Sequence, residues 1–361
     1  MPMQVNQYDP DSARWSELLT LVRHDVYHLP SYLTFASRHQ DRGDPALFAA
    51  EEGGGCFLVP LIIREIPRAN AGAGPQLYDA TSPRGYPGPL IAALSDATFA
   101  DRAIAALAGS LRERQIISVF SRLHPLLSVP EAALQRAGAI VDHGDSVFVD
   151  LSLSDEALQG QTRHGHRQDI NRATRRGYVA RMDEAWDQFE SFVDVFQQSM
   201  NRVGATSFWR LSRDYFVDLR KSLGDRLHLC VAELGNTVAA AALLTETDGI
   251  VEYHLAGTAD SHVSASPSKV VVDFARWWAK SRGNRVLHLT GSLSRGDSLS
   301  HFKAGFSPLH SPVRSWRLVT DPPAYQQLID RWSAEHGVEA DMTAEFFPAY
   351  RRPGPTSGEQ G

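Results

Sequence analysis

Two apolar hairpins, one in each half of the chain, limit most strongly what this sequence can fold into. In the first half, Ala46–Glu51 and Cys56–Ile66 are joined by Glu52-Gly53-Gly54-Gly55. In the second, Thr237–Thr245 and Val251–Gly257 are joined through Asp248-Gly249. Short glycine turns between β-rich apolar runs are the signature of paired antiparallel strands. Each hairpin is followed by a segment of helical spacing and then by a short apolar strand. Asp96–Arg114 places Ala103, Leu107 and Leu111 on one helical face, and Ile116–Leu123 follows. Ser266–Ser281 has Ser266 at the N-cap, Pro267 at the first helical position and Gly283-Asn284 at the stop, and Val286–Leu289 follows. The shared order of hairpin, helix and strand predicts duplication of one α/β unit.

The length of 361 residues suits two such units. The character changes near residues 152–160. The expected division is residues 1–155, residues 156–320, a C-terminal helix and tail at 321–352 packing back, and a disordered end at 353–361. Amphipathic helices are expected at Asp11–Leu19, Trp186–Val203 and Ser212–Leu223, a helix at Pro322–His336 after Trp316–Thr320, and strands at Val147–Leu151 and Leu227–Glu233. The stretch Ala69–Pro89 is dense in glycine and proline and reads as a loop. Its part from Tyr78 to Pro89 holds Arg84 and Tyr86 among rigid prolines, the composition of a binding loop.

A hydrophobic fraction of 43% and a charged fraction of 22% are those of a globular protein. The net charge of −6 argues against a surface that grips nucleic acid all over, and leaves room for a local basic patch. The N-terminus has no apolar signal-peptide core, and no apolar run approaches the roughly 20 residues of a membrane span. With two distant cysteines, Cys56 and Cys230, each in an apolar run, the expectation is a cytoplasmic protein with buried thiols, without membrane insertion, and monomeric. Arginine outnumbers lysine: only Lys221, Lys269, Lys280 and Lys303 occur among 36 basic residues. That bias suits a GC-rich bacterial genome. A lysine kept against it points to a task that arginine does not perform.

The basic patch has a clear address. Arg163, Arg167, Arg172, Arg175, Arg176 and Arg181 stand against a single acid, Asp169. Like charges at i,i+4, as in Arg163/Arg167 and Arg172/Arg176, cost a helix a few tenths of a kcal/mol each, and phosphates would relieve that. Partner acids elsewhere in the fold would do the same. Ser266, Ser268 and Lys269 open a helix, where free N–H groups favour an anion and a lysine is out of place without one. A capped helix with a solvated lysine is the plain alternative. In the strand before it, alternation puts Tyr253 on one face and Glu252 with His254 on the other. Phe302 and Phe306 are one helical turn apart and would anchor Lys303, whose cation could stabilise charge developing on an acyl oxygen. His254 is a candidate base. Nucleophile-elbow, zinc-protease, phosphate-loop and dinucleotide motifs are all missing, so no metal or cofactor is expected.

In their order, these residues resemble the Fem-type aminoacyltransferases of the acetyltransferase-like (GNAT) superfamily. The resemblance runs through Gly85-Tyr86-Pro87-Gly88-Pro89, Arg175-Arg176-Gly177, Met200-Asn201-Arg202, Tyr253-His254-Leu255, Ser266-Pro267-Ser268, Trp277-Trp278-Ala279, His288-Leu289-Thr290-Gly291, Phe302-Lys303-Ala304-Gly305-Phe306-Ser307 and Phe346-Phe347-Pro348-Ala349-Tyr350-Arg351. It implies an α/β (α+β) fold of two tandem GNAT-like domains, each a mixed twisted sheet flanked by helices. It implies transfer of an aminoacyl group from aminoacyl-tRNA to an amine of a cell-wall precursor or peptide natural product such as an antibiotic. Lys303, Tyr253 and His254 would then be catalytic, and Arg202, Tyr86, Arg84, Ser266, Ser268, Lys269 and Ser292 would bind substrate. Arg163, Arg167, Arg172, Arg175 and Arg176 would hold tRNA. The family's glycine-rich turn here reads Thr290-Gly291-Ser292. Transfer from an acyl-CoA is the alternative, weakened because Ala265-Ser266-Pro267-Ser268-Lys269 lacks the glycines that cradle a pyrophosphate.

Overall fold

The computed structural model describes residues 3–67, 74–92, 96, 98–291, 297–337 and 346–354. The chain forms two compact units. One comprises Met1–Asp142 with Arg314–Gly361, the other His143–Val313.

In the first unit the glycine turn at 53–54 joins β2 (Asp44–Glu52) to β3 (Gly55–Glu65), and β1 (Gln4–Tyr8) pairs along the outer edge of β2. The helices α1 (Ala13–Leu19) and α2 (Pro30–His39) lie between β1 and β2 in the chain. After β3 come β4 (Tyr78–Thr81) and β5 (Leu90–Ala92), both antiparallel to β3. Tyr78–Thr81 is thus not loop, as its glycine- and proline-rich surroundings suggest. Hydrogen bonding to a strand on each side overrides a weak local preference. The helix α3 (Phe99–Glu113) buries Ala103, Leu107 and Leu111 as its spacing predicts, against Phe48, Phe57, Val59 and Leu61. Each such large side chain contributes about 1.5–3 kcal/mol by leaving water. The chain then enters β6 (Ile116–Arg122), parallel to β4, and passes α4 (Glu131–Ala137), a helix the sequence reading did not foresee.

The strand β7 (Ala139–Asp150) leads into the second unit. It starts eight residues before the expected Val147, and the boundary between units falls within it, at 142/143. The change of composition near 155 marks the following helices and not the boundary itself. These are α5 (Asp155–Gln161) and α6 (His164–Arg175), followed by β8 (Tyr178–Met182), α7 (Phe189–Arg202) and α8 (Arg213–Leu223). The antiparallel run β9 (Leu227–Leu234), β10 (Thr237–Thr247), β11 (Ile250–Thr258) comes next, with Asp248 (φ 49°) and Gly249 (φ 75°) making the expected tight turn. The helix α9 (Pro267–Ser281) connects β11 to its parallel neighbour β12 (Val286–Gly291), and α10 (Ser298–Lys303) follows. The strand order is β7-β12-β11-β10-β9-β8, every pair antiparallel except β11/β12. The core on α9 includes Val271, Val272, Ala275 and Ala279 with Leu244, Val251, Leu287 and Phe306.

The strand β13 (His310–Val319) returns to the first unit, where Ser315–Val319 pairs antiparallel with β6. The first sheet is then β1-β2-β3-β4-β6-β13 with β4/β6 parallel. Both units therefore have an antiparallel run and one parallel pair joined through a helix. The last helix, α11 (Pro322–His336), packs Tyr325, Leu328, Ile329 and Trp332 on Ile66, Ile117 and Tyr350. Residues 314–354 thus complete the first unit. Of the end expected to be disordered, 353–361, Pro353 and Gly354 are described, and the rest lies outside the described residues. Among those described, no helix is long and apolar enough to cross a membrane.

Candidate active site

The parallel register of β11 and β12 sets Glu252 opposite His288. The imidazole Nδ1 donates to the carboxylate at 2.7 Å (Oε1) and 2.9 Å (Oε2), and neither side chain is exposed. An acid and a histidine inside apolar strands cost several kcal/mol unless they satisfy each other. Just beyond His288 the ladder to β7 breaks register, and Thr290 takes φ 63°. Left-handed backbone at a β-branched residue is strained, and such outliers concentrate at functional sites.

Lys303 ends α10. That helix is capped by Asp297, whose Oδ1 accepts from Ser300 N at 2.6 Å. Lys303 Nζ donates to Thr290 Oγ1 at 3.0 Å and to the Gly291 carbonyl at 2.6 Å, with the side chain 5% exposed. Burial pushes its pKa down to about 8, while the negative charges of Asp297 and Glu252 hold it up. The strained strand end, the buried acid and the lysine are therefore one electrostatic cluster. An ammonium that titrates near neutrality and is fixed by two oxygens can stabilise an oxyanion when charged.

The helix bearing Lys303 is docked on the basic helix. The Gly305 carbonyl accepts from Arg163 N at 2.8 Å, and Arg163 Nη2 reaches the His301 carbonyl at 3.3 Å. His166 Nε2 donates to the Phe302 carbonyl at 2.9 Å, and its ring meets Phe306 edge-on at 4.9 Å. Burial holds His166 down to about 4, so it is neutral at pH 7. Phe302 and Phe306 brace Lys303 as expected, with ring centroids 5.4 Å apart. Arg172, Arg175 and Arg176 are exposed on and just past α6, and Arg167 turns inward to the Thr162 carbonyl.

Other expected residues stand in different settings. Tyr253 lies in the apolar core of its unit, its hydroxyl pKa raised by burial. Simple alternation fails beside it. Leu243 and Leu244 oppose Leu255 and Tyr253, so His254 is the extra residue of a β-bulge and is half-buried there. Ser266 stands at the N-cap but with φ 55°, and its side chain makes no cap bond. Ser268 is half-buried in the first turn. Lys269 is not a cation awaiting an anion: its Nζ donates to Asp169 Oδ2 at 2.6 Å, and Asp169 also meets Arg172 at 3.4 Å. One acid on α6 thus offsets the unfavourable place of Lys269 at a helix start. Arg202 ties α7 to the end of β11, through the Thr258 carbonyl (3.1 Å) and the Asp260 carboxylate, and also donates to Ser199 Oγ of its own helix at 2.9 Å. Ser292 lies outside the described residues.

Arg84 and Tyr86 belong to the first unit. Tyr32 Oη donates to the Arg84 carbonyl at 2.8 Å, and the Tyr86 ring lies 6.0 Å from Tyr27 and 6.1 Å from His124. Beneath them is a buried cluster that the sequence reading passed over. His124 Nδ1 accepts from Leu126 N, so its Nε2–H donates to Asp25 Oδ2 at 3.1 Å. His28 Nδ1 accepts from Asp25 N, so its Nε2–H donates to the Gly88 carbonyl at 3.1 Å. Burial, helped by His124, drives His28 down to about 3. The sequence signal was slight: single histidines at the ends of apolar runs.

Residues 160–304 match the family model for the acetyltransferase (GNAT) domain. No curated protein matches the chain by sequence. Among solved structures, FemX aligns over 90% of this chain and 99% of its own, with a TM-score of 0.69 at 12% identity. The C-terminal domain of a protein assigned as a lysylphosphatidylglycerol synthetase from Agrobacterium fabrum aligns over 90% and 96%, with a TM-score of 0.54 at 15% identity. L-PGS from Bacillus licheniformis aligns over 90% and 97%, also at a TM-score of 0.54 and 15% identity. Residues 160–304 are therefore similar to the GNAT acetyltransferase domain, and over nine-tenths of its length the chain has the fold of FemX.

Proposed function

We propose that this protein transfers an aminoacyl group from aminoacyl-tRNA to an amine, forming an amide. The observation that carries the reading is the direct joint between the basic helix α6 and the helix that ends at Lys303. Exposed arginines suited to phosphates thereby stand on an element bonded to the one that holds a buried, oxygen-bound ammonium. The amine nitrogen attacks the ester carbonyl carbon. A C–N bond forms, the C–O bond to the terminal ribose breaks, and the freed ribose hydroxyl takes up a proton. The ester is already activated, so most of the acceleration comes from holding amine and ester together. Lys303 stabilises the oxyanion of the tetrahedral intermediate, and His254 at the bulge receives the amine's proton.

Acyl-CoA as donor has less support. The start of α9 carries a proline at its first position, no glycine loop before it, and a lysine already paired with Asp169. The acceptor fits a cell-wall precursor or a peptide natural product, the classes that the Fem-type resemblance implies. The test offers the purified protein a labelled aminoacyl-tRNA pool, with and without prior RNase, beside acyl-CoA donors. Label should enter an amide only from intact tRNA. Amide that still forms after RNase treatment, or from acyl-CoA alone, would sink the tRNA reading.

A further inference from the structure

We infer that Glu252 is a positioning residue for Lys303, acting through His288 on the strained end of β12 whose oxygens hold the ammonium. This rests on the acyl-transfer reading above and gives a task to a residue that the reaction as written does not use.

His288 is the last regular position of β12. Pairing with β11 ends where His288 stands opposite Glu252, and regular pairing with β7 ends where it stands opposite Phe148. The next pair is Gly291 with Ser146, so three steps along β12 span two along β7. One residue is therefore extra, as in a β-bulge, a device that re-aims side chains beside functional sites. Thr290 lies in that stretch with φ 63°. The turn brings Thr290 Oγ1 and the Gly291 carbonyl to the same Lys303 Nζ, at 3.0 and 2.6 Å.

A β-branched residue stays in the left-handed region only where its surroundings fix it. Both residues before Thr290 are fixed. Leu289 is fully buried in the apolar core, and His288 Nδ1 is held by both oxygens of the Glu252 carboxylate. Glu252 in turn sits on a strand paired on both sides, opposite Thr245 of β10 and His288 of β12. The carboxylate thus anchors β12 at the point where the lysine cradle begins.

The same carboxylate acts by its charge. Among the described residues of the second unit, the charged and titratable groups on the elements around Lys303 are Asp297 and His301 on its own helix and cap, Glu252 and His254 on β11, His288 on β12, and Arg163 and His166 on α6. His166 is neutral at pH 7, and Arg163 is turned to the His301 carbonyl. Glu252 and Asp297 supply the negative field that keeps the buried ammonium charged.

Carbon-13 NMR of lysine-labelled protein, without tRNA or acceptor, tests this on the full chain. The four lysines give four Cε signals, and that of Lys303 is the one that Lys303→Arg removes. It should titrate near 8 in the wild type. Glu252→Gln keeps an acceptor for His288 but drops the charge, and should lower the midpoint by about half a unit or more. Glu252→Asp keeps the charge and should recover part of the shift. Leu229→Ala opens a cavity at a buried position of β9 in the same unit, and should weaken the fold without moving the midpoint. Should Glu252→Gln fail to fold by circular dichroism, the double change Glu252→Leu with His288→Leu replaces it, with a downward shift again expected. In the transfer assay the alkaline limb of kcat should move down with the midpoint, KM unchanged. A midpoint unmoved in the folded Glu252 variant, or moved equally by Leu229→Ala, overturns the assignment. Because no donor is present, an unmoved midpoint leaves the aminoacyl-transfer reading intact, and failure of the donor assay leaves a shifted midpoint standing.

Discussion

His288 and Glu252 face each other in register across two parallel strands, joined by hydrogen bonds of 2.7 and 2.9 Å with neither side chain exposed. Removing one member leaves the other buried without its partner. Glu252→Gln should lower the urea unfolding free energy by about 3 kcal/mol. The double change Glu252→Leu with His288→Leu should cost clearly less than the sum of the two singles. Additive losses would mean that the pair is not coupled.

Lys303 predicts two pH effects of opposite use. Its folded pKa is about 8 against an ordinary 10.5, so between these values the unfolded chain holds more protons. Its contribution to stability therefore rises with pH across that window. Catalysis through the ammonium runs the other way. Transfer should fall as pH rises through about 8, and Lys303→Met should lower kcat by about 10²–10³ and erase that limb. A rate that climbs through pH 8 would instead mark Lys303 as a base.

Gly305 has no room for a side chain. An added Cβ would lie 2.2 Å from His166 Nε2, the atom bonded to the Phe302 carbonyl. Gly305→Ala should cost about 1–3 kcal/mol and lower kcat, because it pries α6 from the helix of Lys303. Gly165, also near the start of α6, has nothing within 4 Å of such a Cβ. Gly165→Ala should leave both unharmed, and thermal melts beside rate measurements compare the two.

The exposed arginines should show in salt dependence. The triple change Arg172→Gln, Arg175→Gln and Arg176→Gln should weaken binding of aminoacyl-tRNA and reduce the slope of log affinity against log salt by about 2–3. An unchanged slope in a filter-binding series would place the tRNA elsewhere.

Much of this was legible along the chain. The helix at Phe99–Glu113, the turn at Asp248-Gly249 and the phenylalanine brace on Lys303 follow from spacings of one to four residues. The short strand Tyr78–Thr81 was not, because partners on both sides decide it. The bulge at His254 was not either, because it exists only as a mismatch in length between β10 and β11. The arginine run read correctly as a basic helix, and the pairing of its lone acid Asp169 with Lys269, a hundred residues on, was invisible.

By itself the sequence determined the elements, their repeated order and the basic segment, because periodicity, turn residues and local charge act over a few neighbours. Only the tertiary structure decided that Glu252 meets His288, that Lys303 loses its water, and that Lys269 meets Asp169. Those outcomes depend on strand register and burial, which join residues dozens of positions apart. A side chain's charge state follows from what surrounds it in space, not from what precedes it in the chain.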